Sequence, residues 1–249
     1  MNFSLFTLVN YVIILVLGLV IVRIFWYLYS GIISQPATWR NARKKGMIPG
    51  SLLLLELTYA DKARFFNWWL QIERLKQEKI PGAFAEVGVY KGKSARVLHR
   101  MDPSRTIYLF DTFSGFRKED LELEQGKAAT YSTIHFSDIQ LKRAHRLIKG
   151  NQNVHCIAGN FPDMASQVSD VVFALVHLDA DLYQPTRFAL DFFYPRVQPG
   201  GVIMIHDYND KWKGIMRATD EFIQITGETL IHVPDREGTV MIIKKNDHR

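Results

Sequence analysis

Apolar and polar positions follow three regimes along the chain. From Phe3 to Val22 every residue is uncharged, and after Arg23 the run resumes as Ile24-Phe-Trp-Tyr-Leu-Tyr29. About twenty apolar residues in a helix reach roughly 30 Å, the thickness of a bilayer's hydrocarbon. This pattern predicts a transmembrane anchor over residues 1–29, with Trp26, Tyr27 and Tyr29 in an interfacial belt and Arg23 snorkelling outward. A cleaved secretory signal fits less well, because no basic residue precedes the apolar core and no Ala-x-Ala site follows it. Residues 30–50, with Pro36, Pro49 and Gly50, read as a juxtamembrane linker. Residues 51–80 form a helix-prone segment in which Asp61 can cap a helix that places Phe65, Trp69, Ile72 and Lys76 near one face. Trp68 and Trp69 are expected against the domain rather than in lipid.

Residues 81–249 follow the third regime, in which short apolar runs alternate with helical segments. The runs are Ala83–Val87, Thr106–Phe110, Val154–Ile157, Val171–Leu178, Gly201–His206, Thr229–Val233 and Thr239–Lys244. Runs without polar alternation suit strands buried on both faces, and strand–helix alternation builds a parallel, doubly wound α/β sheet. The last two runs are joined by Pro234-Asp-Arg-Glu-Gly238, a length that suits a hairpin, so this seven-stranded sheet should end antiparallel. Arg117–Thr133 is polar, carries several Glu and Lys, and reads as a surface loop or a lid over the site.

Charge adds a partner. The formal net charge is +6, yet no dense Lys/Arg stripe with interleaved aromatics appears in the sequence. A membrane surface is therefore the expected partner and nucleic acid is not. Arg40, Arg43, Lys44 and Lys45 follow the apolar span, which by the positive-inside rule puts the large C-terminal part on the cytoplasmic side of the inner membrane. The single cysteine, Cys156, excludes an internal disulfide and is expected in the core.

Candidate chemistry sits at the ends of the apolar runs. The first leads into Glu86-Val-Gly-Val-Tyr-Lys-Gly-Lys-Ser94. Gly88 and Gly92 allow a tight turn and close approach to a ligand, and a following helix offers free N–H groups. The second ends at Asp111, where an acid in doubly wound folds accepts hydrogen bonds from ribose hydroxyls. The fourth ends His177-Leu-Asp179-Ala-Asp181 and the fifth His206-Asp207-Tyr208. Asp179, Asp207 and His206 can converge beside the cofactor. Carboxylates brought together repel unless a cation or a proton lies between them, and Mg²⁺ is the economical cation. Each of these acids also suits a turn or cap, Asp181 most of all, because Pro185 opens a helix soon after it. His135, in the lid, is a further candidate base.

Together these pieces resemble the macrocin O-methyltransferase (TylF/MycF/NovP-like) family of class I S-adenosylmethionine-dependent methyltransferases. The resemblance covers about residues 80–245 and rests on Glu86–Gly92, Phe110–Phe116, Gly159–Asp163, His177–Tyr183 and Pro199–Tyr208. It implies a Rossmann-like fold and O-methyl transfer to a sugar hydroxyl. It also implies a cofactor site formed by Glu86, Gly88, Tyr90, Gly92, Ser94, Asp111 and Asn160, Mg²⁺ ligands Asp179 and Asp207, and Asp181 as general base. One departure stands out: the family usually carries Asp-Asp-Tyr where this chain has His206-Asp207-Tyr208. Nitrogen suits Mn²⁺, Fe²⁺ or Zn²⁺ better than Mg²⁺, so a changed metal, a two-carboxylate Mg²⁺ site, or His206 as a metal-free base all follow. With the anchor, the expected acceptor is a sugar or lipid-linked glycan at the membrane. The rival expectation is an inactive, membrane-tethered scaffold that keeps the fold. The sequence sets no oligomeric state, and a homo-oligomer is compatible with it.

Overall fold

The computed structural model describes residues 5–33 and 35–245. The chain divides into two compact units, Met1–Lys62 and Ala63–Arg249.

In the first unit, α1 (Leu5–Ile33) is one uninterrupted helix that runs straight through Arg23. Its Leu5–Tyr27 stretch is long and apolar enough to cross a membrane, with mean hydropathy 2.8 and no part of its most apolar window buried. The start of the expected span, Phe3 and Ser4, lies outside the described residues. The segment expected as a linker carries a helix of its own, α2 (Ala37–Lys44), and α3 (Gly50–Thr58) follows it. Pro36 and Pro49 stand immediately before these two helices, where a fixed φ and a missing N–H cost nothing.

The second unit opens with α4 (Lys62–Gln77), which begins one residue after Asp61. Phe65, Trp68, Ile72 and Leu75 are fully buried along it, and Trp69 nearly so, as the expectation for the tryptophans required. Then come β1 (Ala83–Val87), α5 (Lys93–Met101), β2 (Ile107–Asp111), α6 (Lys118–Leu121), α7 (Leu141–Ile148), β3 (Val154–Ala158), α8 (Phe161–Met164), β4 (Phe173–Leu178), α9 (Tyr183–Phe193), β5 (Val197–Ile205), α10 (Lys213–Thr226), β6 (Ile231–Val233) and β7 (Thr239–Ile243). The strands form one seven-stranded sheet in the order β3-β2-β1-β4-β5-β7-β6. The pairs from β3 through to β5 are parallel, and β7 runs antiparallel to both neighbours. The strand order reverses between β1 and β4. In open α/β sheets this is where a crevice opens outside the strands' carboxyl ends and ligands bind.

The central strands are sealed on both faces: every residue of β4 is buried, and the core gathers Phe110, Phe173, Val176, Phe193, Ile203 and Ile242. The edge strand β3 departs from expectation. His155 is exposed and stacks on Tyr108 at 5.2 Å, and Cys156 is only half-buried, because β3 is the edge strand, with no strand paired beyond it among the described residues. Burial still pushes the Cys156 thiol up to about 11. β5 starts earlier than expected and runs through Pro199, Gly200 and Gly201, where its register against β4 shifts.

Candidate active site

Five strand ends meet at the crevice, and backbone packing fixes how closely they can approach. Gly88 has φ +87, and a Cβ there would run into the carbonyl oxygen of Asp179. A Cβ on Gly92, at φ +70, would strike Ile148 of α7. Both glycines are therefore demanded by protein neighbours across the crevice and behind the loop, quite apart from any ligand.

Asp111 governs the loop between them. Its Oδ2 accepts from the N–H groups of Val89 at 2.8 Å and Tyr90 at 2.7 Å, and its Oδ1 accepts from Phe113 N–H at 2.7 Å. A carboxylate has about four acceptor positions, so three are spent on holding the loop. The side chain expected to receive a ribose is thus first a brace between β2 and the β1 loop. Tyr90, at φ +46, turns its ring edge-on to Phe136, 5.0 Å away. Asn160 follows β3 next to this group, since Gly159 N–H donates to the Asp111 carbonyl at 2.9 Å. Ser94 is buried in the first turn of α5.

Glu86 is not at the mouth of the loop. It is fully buried beside its cross-strand partner His177, with Oε1 3.0 Å from Nδ1, and Trp68 packs edge-on to the imidazole at 5.2 Å. Burial pushes its carboxyl up, and His177 and Ser94 pull it partway back. A buried carboxyl unsolvated on one side costs less when neutral or shared with a histidine. Glu86 thus ties β1 to β4 beneath the crevice instead of lining it.

The far strand ends bring the other candidates together. Ligand atoms of Asp179, His206 and Asp207 lie within 4.8 Å of one another, the spacing of a three-donor cation site. Burial, then Asp179, pushes the Asp207 carboxyl up to about 8. Burial pushes the His206 imidazole down, which leaves a neutral ring with a lone pair to donate. Its Nε2 faces Asp207 Oδ1 at 3.5 Å and its Nδ1 faces Thr239 Oγ1 at 3.4 Å. The crowding of acids and the neutral imidazole both fit a cation. Burial, then Asp179 and Asp207, raises Asp181 well above the ordinary carboxylate range, while Lys127 opposes the rise. Asp181 and Asp207 both sit at positive φ, +62 and +61, a conformation that costs a non-glycine residue about 1–3 kcal/mol and clusters at functional sites.

The lid supplies residues that sequence reading missed. Gly115 abuts the Thr133 carbonyl, so the lid closes on itself at its base. Lys127 N–H donates to the Lys211 carbonyl at 2.8 Å, and its ammonium lies 4.8 Å from the Trp212 ring centre. Tyr131 stacks between Phe116 and His135, at 5.4 and 4.8 Å. Burial, then Asp181, Asp207 and Asp179, raises its hydroxyl, which keeps it a proton donor beside the carboxylates. Glu124, within the lid itself, is buried, and its Oε1 accepts from Tyr183 N–H at the start of α9. The α9 cap anticipated at Asp181 is provided by this lid residue. His135 is exposed and uses Nδ1 on Ser132, so it stands apart from the cluster.

Known proteins are similar to this chain in sequence and in fold. The family model described as macrocin-O-methyltransferase (TylF) matches residues 34–235. Mycinamicin III 3''-O-methyltransferase of Micromonospora griseorubida is 26% identical over 193 residues, covering 72% of this chain and 74% of that protein. A tetracenomycin rhamnosyl 4'-O-methyltransferase of Streptomyces olivaceus is 24% identical over 159 residues, covering 58% of this chain and 60% of that protein. The chain thus spans about three fifths to three quarters of the length of these curated relatives. Among solved structures, the O-methyltransferase NovP superposes with TM-score 0.64 at 23% identity, over 74% of this chain and 81% of its own, a likeness of fold. On the family match, over most of its length, this chain belongs to the macrocin-O-methyltransferase (TylF) family.

Proposed function

We propose that the chain is a membrane-anchored, S-adenosylmethionine-dependent O-methyltransferase acting on a sugar or glycan hydroxyl with a divalent cation. The observation that carries this reading is the Asp179–His206–Asp207 donor set, placed across the switch-point crevice from the braced glycine loop. The relatives' own names describe O-methylation of a rhamnosyl tetracenomycin, of mycinamicin III and of demethyldecarbamoylnovobiocin. The α1 helix supports the anchor, and the anchor favours an acceptor held at the bilayer.

S-adenosylmethionine would supply an electrophilic methyl group, so the chain's own task is mainly alignment, worth several kcal/mol of barrier. The β1 loop, with Gly88, Tyr90, Gly92, Ser94 and the fourth acceptor position of Asp111, would hold that cofactor, with Asn160 on the adenine side. A cation on Asp179, Asp207 and His206 would acidify an acceptor hydroxyl, and the mixed N,O,O set suits Mn²⁺, Fe²⁺ or Zn²⁺ better than Mg²⁺. Asp181 stands beside the cluster, and burial with the neighbouring Asp179 and Asp207 raises its carboxyl well above the ordinary carboxylate range, which makes it a stronger base than an exposed carboxylate. Tyr131 and Lys127 cover it, excluding water and donating toward the acceptor oxygen.

The test is transfer of tritiated methyl from labelled S-adenosylmethionine into membrane extracts, with EDTA followed by Mn²⁺ or Mg²⁺ restoration. Label that enters glycan, disappears with EDTA and returns with Mn²⁺ is the expected result. Label that persists unchanged in EDTA, or in an Asp179→Ala variant, would overturn the metal-assisted reading, and absence of label in every extract would favour the inactive scaffold.

A further inference from the structure

The sequence shows no dense basic stripe, but folding makes one. Residues 91–100 and 138–149 each carry four Lys or Arg, and Asp138 is their single acid. α5 and α7 pack side by side outside the β3-β2-β1 half of the sheet, Gly92 against Ile148 and the Arg100 guanidinium donating to the Lys149 carbonyl at 2.8 Å. The two charge runs therefore merge into one face. Asp138 is taken up by Lys91 at 2.7 Å. Lys93, Lys142, Arg143, Arg146 and Lys149 are exposed, and among the described residues none of them has an ion-pair partner. The whole chain carries only +6, so this one face holds a surplus comparable to that of the entire protein. The inner sides of the same helices are apolar, with Val97, Leu98, Ala144 and Ile148 buried, so the cations cannot turn inward.

We infer that the α5–α7 face docks on the anionic leaflet of the bilayer that holds α1. This deepens the membrane reading above and rests on it. A basic face gains roughly additively from each Lys or Arg brought within a Debye length of anionic headgroups. An anchored chain already supplies the high local concentration that makes such weak contacts count. Exposed Leu147, among these cations on α7, adds an apolar contact at headgroup depth. Docking would hold the domain in a fixed orientation on the surface, where a lipid-borne acceptor arrives.

The experiment uses the full chain in nanodiscs of phosphatidylcholine, with and without about 30% phosphatidylglycerol. Lysine acetylation is read by mass spectrometry at Lys93, Lys142 and Lys149, with exposed Lys118 as reference. In phosphatidylglycerol discs, labelling of the three should fall about threefold or more, recover at about 0.5 M salt, and leave Lys118 unchanged. The double substitution Arg143→Glu and Arg146→Glu should abolish the lipid dependence. Equal labelling in both discs overturns the inference, as does protection that appears only with added oligonucleotide. Retention in pure phosphatidylcholine discs separately reads the α1 span. If that retention fails, the anchor is wrong, whatever the basic face does with anionic vesicles.

Discussion

Replacing Asp207 by Asn should stabilise the metal-free protein while removing a charged donor from the proposed cation site. Asp207 is 6% exposed, and burial, then the Asp179 charge, pushes its carboxyl from 3.8 up to about 8. The folded protein therefore keeps this proton up to about pH 8, whereas the unfolded chain releases it near 3.8. A group whose folded pKa is raised contributes less to stability as pH climbs between those two values, and the loss is level above the upper one. At about 1.4 kcal/mol per tenfold, the full loss is on the order of 6 kcal/mol, and sharing of the charge with Asp179 and relaxation reduce it to about 2–4 kcal/mol. Asparagine keeps the shape, tolerates the left-handed backbone at φ +61 and has no charge to lose. The expected outcome in EDTA at pH 8.5 is a variant melting about 5–12 °C above wild type, a gap that shrinks toward pH 4. Wild-type protein should bind Mn²⁺ with release of about one proton below pH 8, and the variant should lose that binding. A variant no more stable than wild type at pH 8.5, or a gap independent of pH, would refute the crowded-carboxylate account.

Other substitutions address the brace, the crevice and the lid. Asp111→Ala removes the acceptor for three loop N–H groups, and calorimetry should show S-adenosylmethionine affinity falling at least about tenfold while the fold persists. Unchanged affinity would remove Asp111 from the site. Gly88→Ala drives a Cβ into the Asp179 carbonyl at positive φ, and chemical denaturation should register a loss of about 3 kcal/mol or more. Glu124→Ala strips the acceptor from the first turn of α9, costing about 1 kcal/mol in stability. Because it also frees the lid, steady-state kinetics should show a higher KM for the acceptor and a smaller change for S-adenosylmethionine.

The sheet and the far side of the site were legible because both rest on local pattern. Apolar runs fix strands, and acids at strand ends converge wherever a parallel sheet brings carboxyl ends together. Asp179, His206 and Asp207 met as their positions implied. Asp111 shows where reading by spacing stops: a carboxylate that binds ribose and one that braces a loop look identical in sequence. Glu86 shows the same limit at longer range, since its partner His177 is 91 residues away and only strand register joins them. The basic face escaped notice for a related reason, its halves being separated by β2 and the lid. Tyr131, Lys127 and Glu124 left no periodic signal, because an irregular segment is held by backbone contacts and helix ends that exist only after folding.

A backbone hydrogen bond from Lys127 to Lys211 joins the lid to the connection that carries Asp207 toward α10, and Gly126 presses on the same Lys211 carbonyl. Lid and donor set are therefore not separate devices. On the proposed reading, a cation that orders Asp207 would steady the lid's seat, and an acceptor that draws the lid down would steady Asp207. Such coupling is reciprocal by thermodynamic necessity, so acceptor and metal should raise each other's affinity by the same factor. On the proposed reading, substrate selection would then read out in how firmly the donor set holds a cation.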